Sequence, residues 1–185
     1  MTTTSYALLG LLALRPWTTY ELAQQVRRSL AWFWPRTERK LYDEPKRLVA
    51  AGYATAREEF TGKRKRTVYE ITDAGRAALR GWLAEPSAPP SAENEAMVRV
   101  FFADGGDLDA LRATLAGMED AARARLAELT AMDEGQEAFP ERRHLTALAM
   151  RLQQDQERTT IAWAQWARGE VDTWRATDDP RPAPR

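Results

Sequence analysis

The stretch EPSAPPSAEN, residues 85–94, limits what this chain can fold into more than any other. Its three prolines cannot donate backbone hydrogen bonds, and they push the residues before them out of the helical region. No helix or strand runs through it, so each side must fold on its own residues. Before the break, helical patterns mix with two strand-like runs. After it, every segment has helical periodicity. The chain is thus expected to be mostly α. Residues 1–84 form one domain, 85–92 a linker, and 93–175 a helical domain. The end of the chain, 176–185, reads as a disordered tail in DDPRPAPR.

Charge divides at the same place. The 185 residues carry 27 basic and 27 acidic side chains, yet residues 1–85 hold 15 basic against 9 acidic and residues 86–185 hold 12 against 18. Such asymmetry points to different tasks for the two halves.

Several function classes are excluded or left without support. With no cysteine there is no disulfide framework and no thiolate metal site. The single histidine, His144, rules out an HExxH zinc site, and neither a phosphate-binding loop nor a dinucleotide fingerprint is present. The carboxylates of ENE, residues 93–95, are explained by a helix start, where they favour the dipole. No cofactor and no enzymatic activity are expected. The apolar run YALLGLLAL, residues 6–14, is about half the length that spans a bilayer. It lacks the basic start and cleavage site of a signal peptide. The reading is a cytoplasmic protein with no membrane partner.

Within residues 1–84 the order of elements is informative. Residues 5–14 are nearly all apolar, which implies a helix buried on all sides and stopped by Pro16. Thr18 and Glu21 form a capping box for a second helix with the stripe Leu22, Ala23, Val26 and Leu30. AWFWP, residues 31–35, is an aromatic connector. A third helix covers 37–51, with Gly52 as its C′ residue. A strand at 53–60, a turn at 61–66 and a strand at 67–71 follow, and Thr72 or Asp73 caps a helix through Trp82. Three helices followed by two strands is the order of a winged helix-turn-helix.

The third helix carries the charge. At about 100° per residue, Arg36, Arg39, Lys40, Asp43, Lys46 and Arg47 fall within one wedge of about 120°. Leu41, Pro45, Leu48 and Val49 lie opposite. Solvated helix faces usually mix signs, whereas this front has five basic residues against one acid. Arginine can fork onto guanine edges and lysine can meet phosphates, so the helix reads as a recognition helix. The run Lys63, Arg64, Lys65, Arg66 then sits at the tip of an adjacent hairpin, where a positive patch meets a duplex dense in negative charge. Gly62 lets that chain turn. Charged residues also protect a sheet edge, but four in a row exceed that need. Pro45 is the discordant feature, costing roughly 3 kcal/mol in a helix interior. It predicts a kink, or a split near Asp43.

The stretches SYALLGLLALRPWTTYEL, WPRTERKLYDEPKRLVAAGYA and RTVYEITDAGRAAL resemble the PadR family of bacterial transcriptional regulators. The resemblance covers residues 5 to about 84. It continues loosely through the helical half, which looks like the family's C-terminal dimerisation region. It implies a homodimer that represses nearby genes, in some members released from DNA by a small aromatic or drug-like molecule. It places the recognition helix at Arg36–Arg47, including Tyr42, and the wing tip at Gly62–Arg66. The candidate DNA contacts are Arg36, Thr37, Arg39, Lys40, Tyr42, Lys46, Lys63, Arg64, Lys65 and Arg66, and the expected partner is a pseudo-palindromic double-stranded operator.

In the helical half, 93–102 is a short helix. Leu108, Leu111, Leu115, Met118, Ala122, Leu126 and Leu129 stripe a long one, and the last helix covers 141–174. On the last helix, Leu145, Leu148, Leu152, Ala162 and Trp166 recur at three- and four-residue spacing, interrupted by Asp155 and Thr159. This stripe is the expected dimer seam. Phe101, Phe102, Trp163 and Trp166 are candidates for binding a flat aromatic effector between the two halves. Two other readings stay open. One is a winged-helix protein-interaction module without sequence-specific DNA binding. The other is a hydrolase with an interhelical pocket, for which the four serines, three of them outside long helices, supply no activated nucleophile.

Overall fold

The computed structural model describes residues 1–34, 38–62, 64–90, 93–133 and 139–178, and gives Glu38, Arg39, Lys40, Thr61, Arg64 and Asp133 by backbone alone. The chain forms two compact units, Met1–Pro89 and Pro90–Arg185.

The first unit begins with α1, Thr3–Leu12, capped by a Thr2–Ser5 box. Leu8, Leu9, Leu11 and Leu12 are buried, whereas Tyr6, Ala7 and Gly10 are partly covered. The two-residue strand β1, Trp17–Thr18, leads into α2, Thr19–Ser29. The capping box at α2 forms as expected: Thr18 Oγ1 accepts from the Glu21 N–H at 3.2 Å, and Glu21 Oε2 accepts from the Thr18 N–H at 2.7 Å. Leu22, Ala23 and Val26 point into the core.

The third helix, α3, is Glu38–Ala50. The expected split near Asp43 does not occur, because α3 runs unbroken through Pro45. The proline ring is less than 2% exposed. Burying an apolar side chain is worth about 1.5–3 kcal/mol, comparable with the roughly 3 kcal/mol that a helical proline costs. The helix ends on Gly52 at φ +76°. Gly52 N–H bonds to the Val49 carbonyl and Tyr53 N–H to the Leu48 carbonyl, which is the paired pattern of a Schellman end.

Strands β2, Ala54–Thr61, and β3, Arg64–Ile71, form an antiparallel hairpin, and β1 adds to the other edge of β3, giving the order β1-β3-β2. Trp17 faces Tyr69, and Thr18 faces Val68. The sequence reading held no strand at Trp17, because two residues carry no period. Trp17 is buried and donates through Nε1 to the Leu11 carbonyl at 2.7 Å. The last helix of this unit is α4, Asp73–Leu83, with Thr72 as its N-cap. The α1 helix packs on α3 and α4, and α2 packs on α3. Tyr6 of α1 stacks on Trp82 of α4, with centroids 4.8 Å apart.

The second unit is helical throughout. Helix α5, Glu95–Phe101, is capped by Asn94. A 3-10 turn at Ala103–Gly105 leads to α6, Leu108–Asp133, and a second 3-10 turn at Pro140–Arg142 leads to α7, Arg143–Val171. Ion pairs Arg112–Asp172, Glu119–Arg168 and Arg125–Glu157 descend along α7 as they ascend α6, so the two helices are antiparallel. Leu111, Leu115, Ala167 and Val171 form a buried cluster between them, with Trp163 and Trp174 packed against it. Near the start of the stretch read as a tail, Thr177 Oγ1 donates to the Gly106 carbonyl at 3.1 Å; residues 179–185 lie outside the described residues. No described helix is long and apolar enough to cross a membrane.

Candidate nucleic-acid interface

Helix α3 has two clearly different sides. Leu41, Pro45 and Leu48 are buried and Val49 is half-buried, while Tyr42, Asp43, Lys46 and Arg47 are exposed. The projection from sequence therefore holds beyond Pro45, and Lys46 and Arg47 stay on the front. The backbones of Arg39 and Lys40 lie in the same helix. Arg36 and Thr37 lie outside the described residues.

One residue of the buried side was missed. Glu44 is 8% exposed and accepts a hydrogen bond from the hydroxyl of Ser5 in α1. Its other oxygen lies 3.8 Å from Arg47 Nη1. Charge alone placed no acid on that side, because helical projection treats ionised groups as solvent-facing.

The hairpin corrects the sequence reading in two ways. Strand β3 begins at Arg64, so Lys65 and Arg66 lie within the strand rather than at a tip. Thr61 pairs with Arg64, leaving a two-residue connection at 62–63, with Gly62 at φ +61°. Lys63 lies outside the described residues. Second, the positive charge is partly answered. Lys65 Nζ is 2.7 Å from Glu58, Arg66 is 2.8 Å from Glu59, and Arg57 is 2.6 Å from Glu59. Strand alternation sends Lys65 and Arg66 to opposite faces, and β2 supplies an acid on each. Apart from Glu59, these partners keep substantial exposure, so the pairs are screened and weak.

In the helical unit, Leu145, Leu148 and Leu152 are 49%, 71% and 57% exposed, and Trp166 is 44% exposed; Ala162 is exposed too. The stripe read from sequence lies away from α6, whose contact face on α7 is instead Gln154, Ala164, Ala167 and Val171. Asp155 interrupts the stripe and is held by Arg151 at 2.6 Å and Arg158 at 2.7 Å. The Arg151 hydrogen bond first, then that of Arg158, keeps its carboxyl below the ordinary range.

The four aromatic candidates are not brought to one place. Trp163 packs into the α6–α7 core, whereas Trp166 is exposed. A 60° offset on α7 is enough to put one ring against α6 and the other outside. Phe101 and Phe102 meet edge to face at 4.9 Å, and both are exposed. Of the four, Phe102 lines an open concavity of about 990 Å³ between α5 and α6, beside Val98, Ala110 and Leu111. Among the described residues no three His, Asp or Glu side chains gather as a metal site.

A further carboxylate links α6 to α7. Glu119 accepts from Arg123 at 2.7 Å, Gln165 at 2.8 Å and Arg168 at 2.9 Å. Arg123 first, then Gln165 and Arg168, lowers its pKa to about 2 despite its burial.

Comparison with known proteins agrees with this architecture. Residues 8–81 match the family described as Transcriptional regulator PadR-like family. Residues 93–172 match the one described as Virulence activator alpha C-term. The chain is 30% identical over 99 residues to the Negative transcriptional regulator PadR of Bacillus subtilis (strain 168). That match takes in 52% of this chain and 54% of the relative, so the chain spans about half the length of the curated protein it matches. The crystal structure of Bacillus subtilis PadR in complex with operator DNA superposes with a TM-score of 0.84 at 22% identity, covering 92% of this chain and 100% of that one. The structure of the same protein in complex with p-coumaric acid gives a TM-score of 0.74 at 22% identity, covering 91% and 98%. These likenesses show a winged-helix fold with C-terminal helices. The N-terminal unit thus carries a PadR-like family domain over residues 8–81.

Proposed function

We propose that this chain is a homodimeric repressor that binds a pseudo-palindromic operator through α3 and the β2–β3 hairpin. The observation that carries the reading is the two-sidedness of α3. An apolar back is sunk in the core while Tyr42, Lys46 and Arg47 are exposed on the front, and Arg39 and Lys40 share the helix. Arg36 and Thr37 extend the same candidate surface in sequence, and Lys63, Arg64, Lys65 and Arg66 add phosphate contacts beside it. A relative of the same fold was crystallised with operator DNA, which supports the same use here.

The dimer is assigned to the exposed stripe of α7. Leu145, Leu148, Leu152, Ala162 and Trp166 present an apolar ridge that α6 does not cover. A two-fold dimer sets two recognition helices about 34 Å apart, or a multiple of it, which fits an inverted repeat. Domain roles follow: residues 1–84 read DNA, 85–92 connect, and 93–175 dimerise. Release by a planar aromatic ligand completes the reading. It is supported by the p-coumaric acid complex of the relative and by the exposed rings of Phe101, Phe102 and Trp166.

The test is binding of the purified protein to the DNA upstream of its own gene. Protection of an inverted repeat, lost in Arg39→Ala with Lys46→Ala, is the expected result. A protein that pulls down another protein but prefers no duplex sequence is instead an interaction module.

A further inference from the structure

We infer that Glu44 is a positioning residue that fixes the angle at which α3 presents its front to DNA; this rests on the reading of α3 as the DNA-contacting helix. Glu44 sits on the side of α3 where Leu41, Pro45 and Leu48 are buried, and it is itself 8% exposed. A hydrophobic side chain packs there at lower desolvation cost. What a carboxylate adds is direction.

The geometry supplies that direction. Ser5, 3% exposed, donates its hydroxyl hydrogen to Glu44 Oε1. The same Ser5 oxygen accepts from the Thr2 N–H at 2.9 Å, within the capping box that starts α1. Ser5 is therefore committed on both sides, and the N-terminal turn of α1 is tied to the middle of α3. That turn is also the positive end of the α1 dipole, which favours a carboxylate. Glu44 Oε2 faces the front, 3.8 Å from the guanidinium of Arg47, whose side chain is 76% exposed. One carboxylate thus bonds to the scaffold through one oxygen and lies 3.8 Å from a cation on the front with the other.

The hydrophobic burial that seats α3 is non-directional and does not by itself set an angle. A hydrogen bond is directional: it prefers an angle above about 150° and weakens steeply below about 120°. A roll of α3 moves side chains on its front sideways relative to a base edge, where a fork must meet two acceptors at once. Glu44 and Ser5 together oppose that roll.

The experiment is a selection of duplexes from a randomised pool by the wild-type chain, followed by anisotropy titrations. Affinities for the selected duplex and for a scrambled duplex of equal length are measured at one salt concentration. The variants are Glu44→Ala, Ser5→Ala, their double and Glu44→Gln, each at a temperature where circular dichroism shows it folded. Glu44→Ala and Ser5→Ala should each lower the selected-to-scrambled affinity ratio about tenfold, as removal of one base fork does. The double variant should fall no further, because the two residues act as one unit. Glu44→Gln keeps an acceptor for Ser5 and should retain most of the ratio. Scrambled-duplex binding should hold or rise in Glu44→Ala, since a negative charge leaves the neighbourhood of DNA. Equal changes on both duplexes, or additive losses in the double variant, overturn the proposal while leaving α3 as the DNA helix. A selection that enriches no sequence overturns the α3 reading and the proposal with it. Should Glu44→Ala fail to fold, Ser5→Ala and Glu44→Gln still decide the matter.

Discussion

A β-carbon on Gly75 would overlap the carbonyl oxygen of Tyr53 and sit 2.8 Å from Cγ1 of Ile71. The start of α4 is thus pressed against the turn that follows α3. Thr72 holds the same place, accepting from Gly75 N–H and donating to the Gly52 carbonyl at 2.8 Å. Gly75→Ala should destabilise the N-terminal unit by about 3 kcal/mol, the upper end for overpacking, because the obstacle is backbone. Gly81→Ala on the same helix meets nothing within 4 Å and should be stabilising by about 0.5–1 kcal/mol. Thermal melts of the two variants check this.

Salt dependence separates the charges of the hairpin. Replacing Lys65 and Arg66 by alanine should reduce the slope of log affinity against log salt by about 1 for every phosphate that is no longer neutralised. Glu58→Gln with Glu59→Gln should do the opposite on affinity, tightening binding to operator and random duplex alike, because both cations lose their intramolecular partners. Titrations over a salt series check both. Unchanged affinity in the glutamine variant would mean the hairpin stands away from the duplex.

The α7 ridge should decide assembly. Leu148→Asp with Leu152→Asp puts two charges on side chains that α6 does not cover, so the protomer should fold and sediment as a monomer. Its operator affinity should fall because two half-sites can no longer be engaged together. Dimeric sedimentation would place the seam elsewhere.

Acid should weaken the helical unit through Glu119. Its folded pKa of about 2 lies below the ordinary value of 4.5. The stabilisation is therefore fully present above about pH 4.5 and is lost as pH falls toward 2. Wild-type melting temperature should drop across that window, and Glu119→Gln should start lower and drop less. A parallel pH profile in both would remove Glu119 from the account.

Ligand binding can be followed by tryptophan fluorescence. A panel of planar aromatic acids should include one that quenches emission, with the change reduced in Trp166→Phe and retained in Trp163→Phe, since Trp166 is the exposed ring and Trp163 is part of the core. Quenching that survives both substitutions points to Trp32 and Trp34.

What the sequence revealed was what is local. Thr18 and Glu21 lie three apart, so their capping box is written in consecutive residues, and Gly52 ends α3 for a reason carried by one residue type. Amphipathic stripes were legible for the same reason, including the outward position of Leu145, Leu148 and Leu152. Long-range pairings were not. Glu119 meets Gln165 and Arg168, 46 and 49 residues away, and nothing near Glu119 announces them. Glu44 was hidden because its partner, Ser5, is 39 residues distant and on another helix. The run of four basic residues concealed the alternation that makes Lys65 and Arg66 part of a strand.

The two residues of β1 give the N-terminal unit a mechanical property. Thr18 is paired in register with Val68 of β3 and is also the N-cap of α2. Force applied to the hairpin passes through β3 into the first turn of α2, with no free segment to absorb it. The hairpin is therefore joined directly to the helical core through β1. On the proposed function, a duplex contacted by the hairpin is met by α2 and the sheet together rather than by the hairpin alone.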